Sequence, residues 1–260
     1  MRPPDRRTLR VGRRALGSPS PSDSSARLRA GTTYRRSVIT GSLQTTWDYT
    51  QAYLDEDDVL AQARRKADEV GCVPVQPGTG ATLRFLAAVL DARSVVEVGT
   101  GTGVSGVWLL RGMRDDGVLT TVDVEAEHTR LARETFAQAG FAAPRTRLIT
   151  GRALDVLPRL TDAAYDLVLV DAAKEEYSAY LDEALRLLRP GGVVVFDNAL
   201  WGDKVADPAQ RDPVTVAIRE LVRTVRADDR VVPLLLPVGD GLLCAQKRVA
   251  GVDDHGPAPS

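Results

Sequence analysis

Short apolar runs, many of them rich in β-branched residues, alternate along most of the chain with longer segments whose apolar residues recur every three or four positions. The apolar runs predict five β-strands, at residues 94–98, 118–122, 146–150, 166–170 and 192–196. The longer segments predict helices between these strands, at residues 104–113, 125–139, 152–160 and 176–189. Strands that alternate with helices in this way are typical of βαβ units and of a parallel sheet.

The two ends of this pattern differ from its middle. Before the first strand, residues 55–70 and the segment around residues 83–89 predict two helices joined by a loop rich in proline and glycine. After the last, a helix at residues 213–227 precedes the apolar runs Val231–Leu236 and Leu242–Ala245, which flank a short glycine-containing turn. Strands joined this closely pair antiparallel, because a parallel pair needs a long crossover. We therefore predict a doubly wound α/β fold whose mostly parallel, seven-stranded sheet ends in an antiparallel hairpin.

Size and composition are those of a globular protein. The chain has 260 residues, of which 43% are hydrophobic and 27% are charged, and this balance excludes a fibrous or wholly disordered protein. Cys72 and Cys244 are its only cysteines. Two thiols define no disulfide framework, so a cytoplasmic location is expected. No apolar run approaches the ~20 residues of a membrane-spanning helix, so no membrane partner is expected.

The first part of the chain has a composition of its own. Residues 1–36 carry ten arginines against two aspartates and are rich in proline, serine and glycine. Such a segment has little apolar surface to bury, so we predict a disordered, arginine-rich tail at residues 1–40. An arm for nucleic acid or another acidic partner and a transit peptide are the less favoured alternatives to a dispensable tail or a misplaced start codon. Residues 41–248 are predicted to form one domain, and residues 249–260 a loose tail.

A glycine-rich turn follows the first strand. Residues 94–98 run directly into Gly99-Thr100-Gly101-Thr102-Gly103, and a helix is predicted to begin at once. Glycines at this place let the backbone approach a ligand closely, and the next helix offers free N–H groups. The sequence from Gly101 to Gly106 also fits the G-x-G-x-x-G pattern of dinucleotide-binding proteins. A nicotinamide cofactor and a tight turn without ligand are therefore both open at this point.

Two acidic residues narrow the choice of ligand. Glu97 lies two residues before the first glycine, where a carboxylate would attract an ammonium group and repel a pyrophosphate. Asp123 ends the second strand, where an acid can accept hydrogen bonds from ribose hydroxyls; its alternative role is that of a helix N-cap. A ligand with both a ribose and an ammonium group suggests S-adenosylmethionine rather than NAD.

Oxygen-bearing side chains follow the fourth and fifth strands. Asp171 ends one, and Asp197 and Asn198 end the other. Two carboxylates and an amide suit Mg²⁺, and also Mn²⁺ or Ca²⁺. Lys174 is one of only four lysines beside 30 arginines. Because lysine can lose its proton and arginine effectively cannot, Lys174 is a candidate general base. An Asp-Asn turn and a solvated lysine are the plain alternatives.

Four motifs in this order resemble those of the caffeoyl-CoA and catechol type of class I O-methyltransferases. They are Glu97–Gly103, Asp171-x-x-Lys174-x-x-Tyr177, Asp197-Asn198-x-x-Trp201 and Pro237–Gly241. The resemblance extends from about Trp47 to Arg248. It implies a Rossmann-like methyltransferase fold, S-adenosylmethionine as cofactor, a divalent cation and a homodimer.

The resemblance also assigns roles to single residues. It implies a cation held by Asp171, Asp197 and Asn198, with Asp171 and Lys174 as catalytic residues. Trp201 and residues 202–212 would form a wall or lid over the acceptor, ordinary core packing being the alternative for Trp201. The implied cofactor-binding residues are Glu97, Gly99, Thr100, Gly101, Gly103, Ser105, Asp123, Ala153 (through its backbone, near the adenine) and Asp171.

The chain departs from the family pattern at two places. Ala173 stands where many members have a second aspartate, and residues 75–80 lack a frequent Met-x-Thr/Ser pattern. Neither departure changes Asp171, Asp197 or Asn198, the residues implied to hold the cation. We predict a divalent-cation-dependent enzyme that moves the methyl group of S-adenosylmethionine to a hydroxyl of a small, hydroxylated aromatic acceptor of the catechol or vicinal-diol type. The alternatives are a nicotinamide-dependent oxidoreductase and a non-catalytic, S-adenosylmethionine-binding regulatory module.

Overall fold

Seven strands pair into one sheet in the computed structural model, which describes residues 43–249. They are β1 Ser94–Val98, β2 Val118–Asp123, β3 Thr146–Thr150, β4 Tyr165–Val170, β5 Leu188–Phe196, β6 Val231–Leu236 and β7 Leu242–Lys247. Their order in the sheet is β3-β2-β1-β4-β5-β7-β6. The first five strands run parallel to one another, whereas β7 pairs antiparallel with both β5 and β6. The predicted fold class is confirmed.

Eight α-helices accompany these strands in the described part of the chain. They are α1 Leu43–Gln51, α2 Asp58–Val70, α3 Pro77–Val89, α4 Val104–Gly112, α5 Ala126–Gln138, α6 Ala153–Val156, α7 Tyr177–Leu187 and α8 Pro213–Ala227, with short 3₁₀ helices at Ala143–Arg145, Leu157–Arg159 and Lys174–Glu176. The helix predicted at residues 152–160 is broken, since Pro158 has no N–H to continue the ladder. The sequence pattern did not predict α1, whose residues LQTTWDYTQ include few apolar ones.

Helices cover both faces of the sheet. Side chains of successive strand residues point to opposite faces, and both faces of these strands are apolar, so each face packs against helices. Val96 and Val98 of β1 belong to a buried cluster with residues of α7 and α8, such as Leu181 and Leu221. Val95 belongs to a second cluster, which contains residues of α2, α3, α4 and α5. The sheet is thus the middle of three layers.

The register of the parallel strands aligns their carboxyl ends. Val98 is paired with Val122 of β2 and Val170 of β4, and Val170 is paired with Phe196 of β5. The residues that follow these four therefore lie along one edge of the sheet: Gly99, Asp123, Asp171 and Asp197. This edge is where open α/β sheets bind their ligands.

The predicted tails at residues 1–40 and 249–260 lie outside the described residues, apart from Val249, and remain predictions. Within residues 43–249, every helix is too short or too polar to serve as a membrane span.

Candidate active site

The glycine-rich turn after β1 has a backbone that side chains would disfavour. Gly99, Gly101 and Gly103 have φ angles of 98°, 50° and 88°, in the region that favours glycine. A Cβ atom on Gly99 would also collide with the backbone carbonyl oxygen of Asp171. The backbone of the turn therefore packs directly against the backbone of Asp171, which follows β4.

A cavity of about 470 Å³ opens beside this turn. Its walls come from the turn, the ends of β2 and β4, the start of α6 and the loop at residues 72–75. Most of the predicted cofactor residues line it, namely Gly99, Thr100, Gly101, Ser105, Asp123, Ala153 and Asp171. Glu97 and Gly103 do not line the cavity. Ala173, at the position where relatives often carry an aspartate, also lines this cavity.

Glu97 is fully buried. Thr121 Oγ1 donates a 2.6 Å hydrogen bond to Glu97 Oε2, and Thr100 Oγ1 lies 2.6 Å from Thr121 Oγ1. The other carboxylate oxygen, Oε1, has no hydrogen-bond partner within residues 43–249. Burial raises the pKa of Glu97 to about 7, against the lowering effect of the hydrogen bond from Thr121. Glu97 thus has one oxygen without a hydrogen-bond partner among the residues that the structure describes.

Asp123 is held by the turn that it faces. Its Oδ2 accepts hydrogen bonds from the backbone N–H groups of Thr100 (3.0 Å) and Gly101 (2.9 Å). Its Oδ1 accepts one from the N–H of Glu125 at 2.9 Å. The N-cap of α5 is Glu125, so the alternative prediction of an N-cap role for Asp123 is wrong. His128, which the sequence analysis did not single out, lines the cavity with its Nδ1 3.2 Å from Asp123 Oδ2.

A second cavity, of about 370 Å³, lies next to the first. Asp171 and residues 73–75 line both cavities. The second cavity brings together the predicted metal residues, the predicted base and the predicted acceptor-side residue: Asp171, Asp197, Asn198, Lys174 and Trp201. Asp240, from the turn between β6 and β7, also lines it.

Asp197 is buried, with 4% of its surface exposed, and in the described part of the chain its Oδ1 has no hydrogen-bond partner. Burial and the nearby charge of Asp171 raise the pKa of Asp197 well above its ordinary range. Tyr177 donates a 2.8 Å hydrogen bond to the backbone carbonyl of Asp197, which fixes the end of β5. The side chain of Lys174 is 12% exposed, and its Nζ donates to Asp171 Oδ1 at 2.9 Å.

Asn198 and Asp240 connect two loops at the second cavity. Asn198 has a φ of 58°, and its Nδ2 lies 3.4 Å from Asp240 Oδ2. Asp240 belongs to the Pro237–Gly241 motif that the sequence analysis noted without giving this residue a role. Among residues 43–249, no group of three or more His, Cys, Asp and Glu side chains is arranged as metal ligands. The predicted metal set contains only two such side chains, its third member being an amide.

Proteins of known structure resemble the described fold along most of their length. One is the O-methyltransferase TomG from Streptomyces achromogenes, involved in tomaymycin synthesis and solved with S-adenosylmethionine. It is 32% identical, with a TM-score of 0.73, and the match covers 80% of this chain and all of that one. Another is an O-methyltransferase from Bacillus cereus, solved with S-adenosylhomocysteine, at 28% identity and a TM-score of 0.71, over 78% of this chain and 99% of that one. The described fold is therefore that of S-adenosylmethionine-dependent O-methyltransferases.

Sequence comparison gives the family. Relatives from Mycobacterium bovis and Mycobacterium tuberculosis, named as O-methyltransferases, are 50% identical over 202 residues, which is 78% of this chain and 90% of theirs. The O-methyltransferase family model matches residues 50–248, and the chain belongs to this family. The predictions of enzyme class and of S-adenosylmethionine are confirmed, in preference to the nicotinamide-dependent and non-catalytic alternatives.

Proposed function

We propose that this O-methyltransferase is divalent-cation-dependent and methylates one of two adjacent hydroxyls on a small aromatic acceptor of the catechol type. The observation that carries the proposal is the unpartnered oxygen of Asp197. It is buried beside Asp171, in a cavity that adjoins the proposed cofactor cavity.

The residues of the second cavity fit a divalent cation. Two carboxylates and an amide are oxygen ligands of the kind that Mg²⁺ prefers, and Mn²⁺ and Ca²⁺ accept the same set. A buried carboxylate without a partner is unfavourable unless a positive charge compensates it. Asp171, Asp197 and Asn198 would hold the cation, which when bound lowers the pKa of a hydroxyl that it contacts and fixes two neighbouring oxygens.

The first cavity fits S-adenosylmethionine, which supplies the methyl group. Glu97 would compensate the ammonium group of its methionine part through the unpartnered Oε1. Asp123 would accept hydrogen bonds from the ribose, and the backbone at Ala153 would contact the adenine. Gly99, Thr100, Gly101, Gly103 and Ser105 form the surface and support on which the methionine part would rest.

Lys174 and Trp201 would act on the acceptor. Lys174 Nζ lies 2.9 Å from Asp171 Oδ1, and in its uncharged form it is proposed to accept the proton of the reacting hydroxyl. Trp201 is half-buried and lines the second cavity, so its ring would form one wall of the acceptor site. Because Asp171 borders both cavities, it would place the acceptor oxygen close to the methyl group. Positioning of this kind supplies a large part of the rate enhancement in group transfer.

Methyl transfer by the purified protein tests the proposal. After chelation, activity towards catechols, flavonoids and hydroxycinnamoyl thioesters should be lost and should return with Mg²⁺, Mn²⁺ or Ca²⁺. A matched monophenol should react far more slowly than the catechol. Asp197→Ala should lose the activity and the stabilisation by added cation in thermal unfolding, whereas Asp229→Ala, at an exposed position, should retain both. Full turnover after chelation would contradict the proposed dependence on a cation. Equal rates for the monophenol and the catechol would contradict an acceptor with two adjacent hydroxyls.

We also propose a homodimer in the cytoplasm, supported by the resemblance to a family of homodimers and by two free cysteines, Cys72 and Cys244. Light scattering coupled to gel filtration should give twice the chain mass of 28.0 kDa. A single chain mass at micromolar concentration would contradict the dimer.

A further inference from the structure

The segment that follows Asp197 has an unusual backbone. Five residues other than glycine have positive φ angles in the described part of the chain, and three of them lie between positions 198 and 203. These are Asn198 (58°), Trp201 (50°) and Asp203 (64°), and Gly202 between them also has a positive φ. Left-handed backbone is unfavourable for residues with a Cβ and persists only where the surroundings impose it. Something must therefore hold this segment against the second cavity.

The turn between β6 and β7 holds its first half. The N–H groups of Ala199 and Leu200 donate to the backbone carbonyls of Gly241 and Asp240, both at 2.9 Å. The carboxylate of Asp240 accepts a 2.7 Å hydrogen bond from the N–H of Gly202. These contacts fix residues 199–202, but they do not extend to the turns that follow.

Arg219 of α8 holds the second half. Its Nε donates to the carbonyl of Val205 at 3.0 Å, and its Nη1 to that of Gln210 at 2.5 Å. Its Nη2 donates to the carbonyls of Lys204, at 2.7 Å, and Asp207. One half-buried guanidinium thus bonds four backbone carbonyls of a single loop. A planar group with five fixed donors can do this, and lysine, with one nitrogen, cannot.

We infer that Arg219 is a positioning residue that fixes the second half of the acceptor wall (residues 198–210) from outside the cavity. Arg219 itself does not line either cavity. Its effect reaches the acceptor through Lys204, whose carbonyl it binds and whose Nζ lies 5.9 Å from the centroid of the Trp201 ring. With the wall held in one conformation, Trp201 presents one face to the acceptor and selects which of two adjacent hydroxyls meets the methyl group. The expected effect of Arg219 on the reaction rests on the proposed function. The hydrogen bonds from Arg219 to the loop do not depend on it.

Arg219→Ala and Arg219→Lys test the inference, with Arg223→Ala as the matched control. Arg223 lies one turn further along α8, and its side chain forms an exposed ion pair with Glu220. Two measurements are made on the full-length protein. Hydrogen exchange, followed by mass spectrometry, reports the backbone amides of residues 203–210. Methylation of 3,4-dihydroxybenzoate reports the ratio of the two monomethyl products, which a partly unfolded preparation would leave unchanged.

Both Arg219 variants should exchange the amides of residues 203–210 about tenfold faster or more, while the control exchanges them at the wild-type rate. The product ratio should shift towards equal amounts, the KM for the acceptor should rise, and the Kd for S-adenosylmethionine should stay within about twofold. Arg219→Lys keeps the charge and most of the packing, so it remains informative if the alanine variant does not fold.

Unchanged exchange in a folded Arg219 variant would overturn the inference, whatever the activity. Faster exchange with an unchanged product ratio would overturn the orienting role. If the wild-type protein methylates neither hydroxyl, the proposed function fails for this acceptor, and the exchange data alone decide whether Arg219 holds the wall.

Discussion

Replacing Glu97 by glutamine should stabilise the cofactor-free protein at pH 8, although it removes a charged residue from the active site. Burial raises the pKa of Glu97 from 4.5 to about 7. Between these two pH values the folded protein keeps a proton that the unfolded chain has released, so the free energy of unfolding falls as the pH rises. At ~1.4 kcal/mol for each pH unit, the full loss above pH 7 is on the order of 3 kcal/mol. Glutamine does not ionise and avoids this loss.

Urea unfolding at a series of pH values between 4.5 and 8 measures the effect. The advantage of the Glu97→Gln variant over the wild type should be small near pH 4.5 and should grow until pH 7. Asp197 also has a raised pKa, but its contribution largely cancels in the difference between the two proteins. Glu69→Gln, at an exposed position, is the control and should follow the wild type. A difference that does not change with pH would refute the reasoning.

The same variant should bind S-adenosylmethionine more weakly, by about 1–3 kcal/mol, because the ammonium group loses its charged partner. Calorimetry at pH 8 measures this loss. A gain in stability together with a loss in affinity would show that the charge of Glu97 strengthens cofactor binding and lowers the stability of the cofactor-free protein. Unchanged affinity would remove Glu97 from the ammonium site.

Three further predictions concern other parts of the chain. Lys174→Ala should bind cofactor normally but transfer methyl about 10²–10⁴-fold more slowly, with partial recovery at high pH, and Lys174→Arg should fare no better because arginine does not accept the proton. Steady-state rates against pH measure this, and near-normal turnover of the arginine variant at neutral pH would disprove the general base. Asp123→Ala should weaken S-adenosylmethionine binding by about 1–3 kcal/mol in calorimetry, and wild-type affinity would exclude Asp123 from the site. Deleting residues 1–36 should leave the Tm and the methyl transfer rate nearly unchanged; a folded truncation without most of its activity would contradict this.

The strands and the residues at their carboxyl ends could be predicted from the sequence for a simple reason. A buried parallel strand is a continuous apolar run, and the polar residue that ends it marks the ligand-binding edge. Asp171, Asp197 and Asn198 were found in this way, and the structure places all three at one cavity. The first helix was not found, because α1 has few apolar residues and Gln51 at its end contacts Gly78, 27 positions away.

Roles that depend on distant partners could not be predicted. Asp240 meets Asn198 only because the hairpin folds back beside β5, 42 positions along the chain. Arg219 is one of 30 arginines, and nothing near it in the sequence distinguishes it from the others on α8. That Glu97 faces a ligand stays a prediction. The structure adds that its carboxylate is fully buried. Local pattern therefore locates the active-site edge, while long-range contacts decide which side chains serve it.

The contact between Gly99 and Asp171 limits how this enzyme can change during evolution or engineering. Any side chain at position 99 would push against the backbone of Asp171, and Asp171 borders both cavities. A substitution made to alter the proposed cofactor cavity would thus also move the proposed acceptor cavity. If the second cavity holds the acceptor as proposed, new acceptor preferences are more accessible through residues that line it alone, such as Gln76 and Trp201. Libraries aimed at those positions can vary the acceptor while the edge of the sheet that serves both reactants stays fixed.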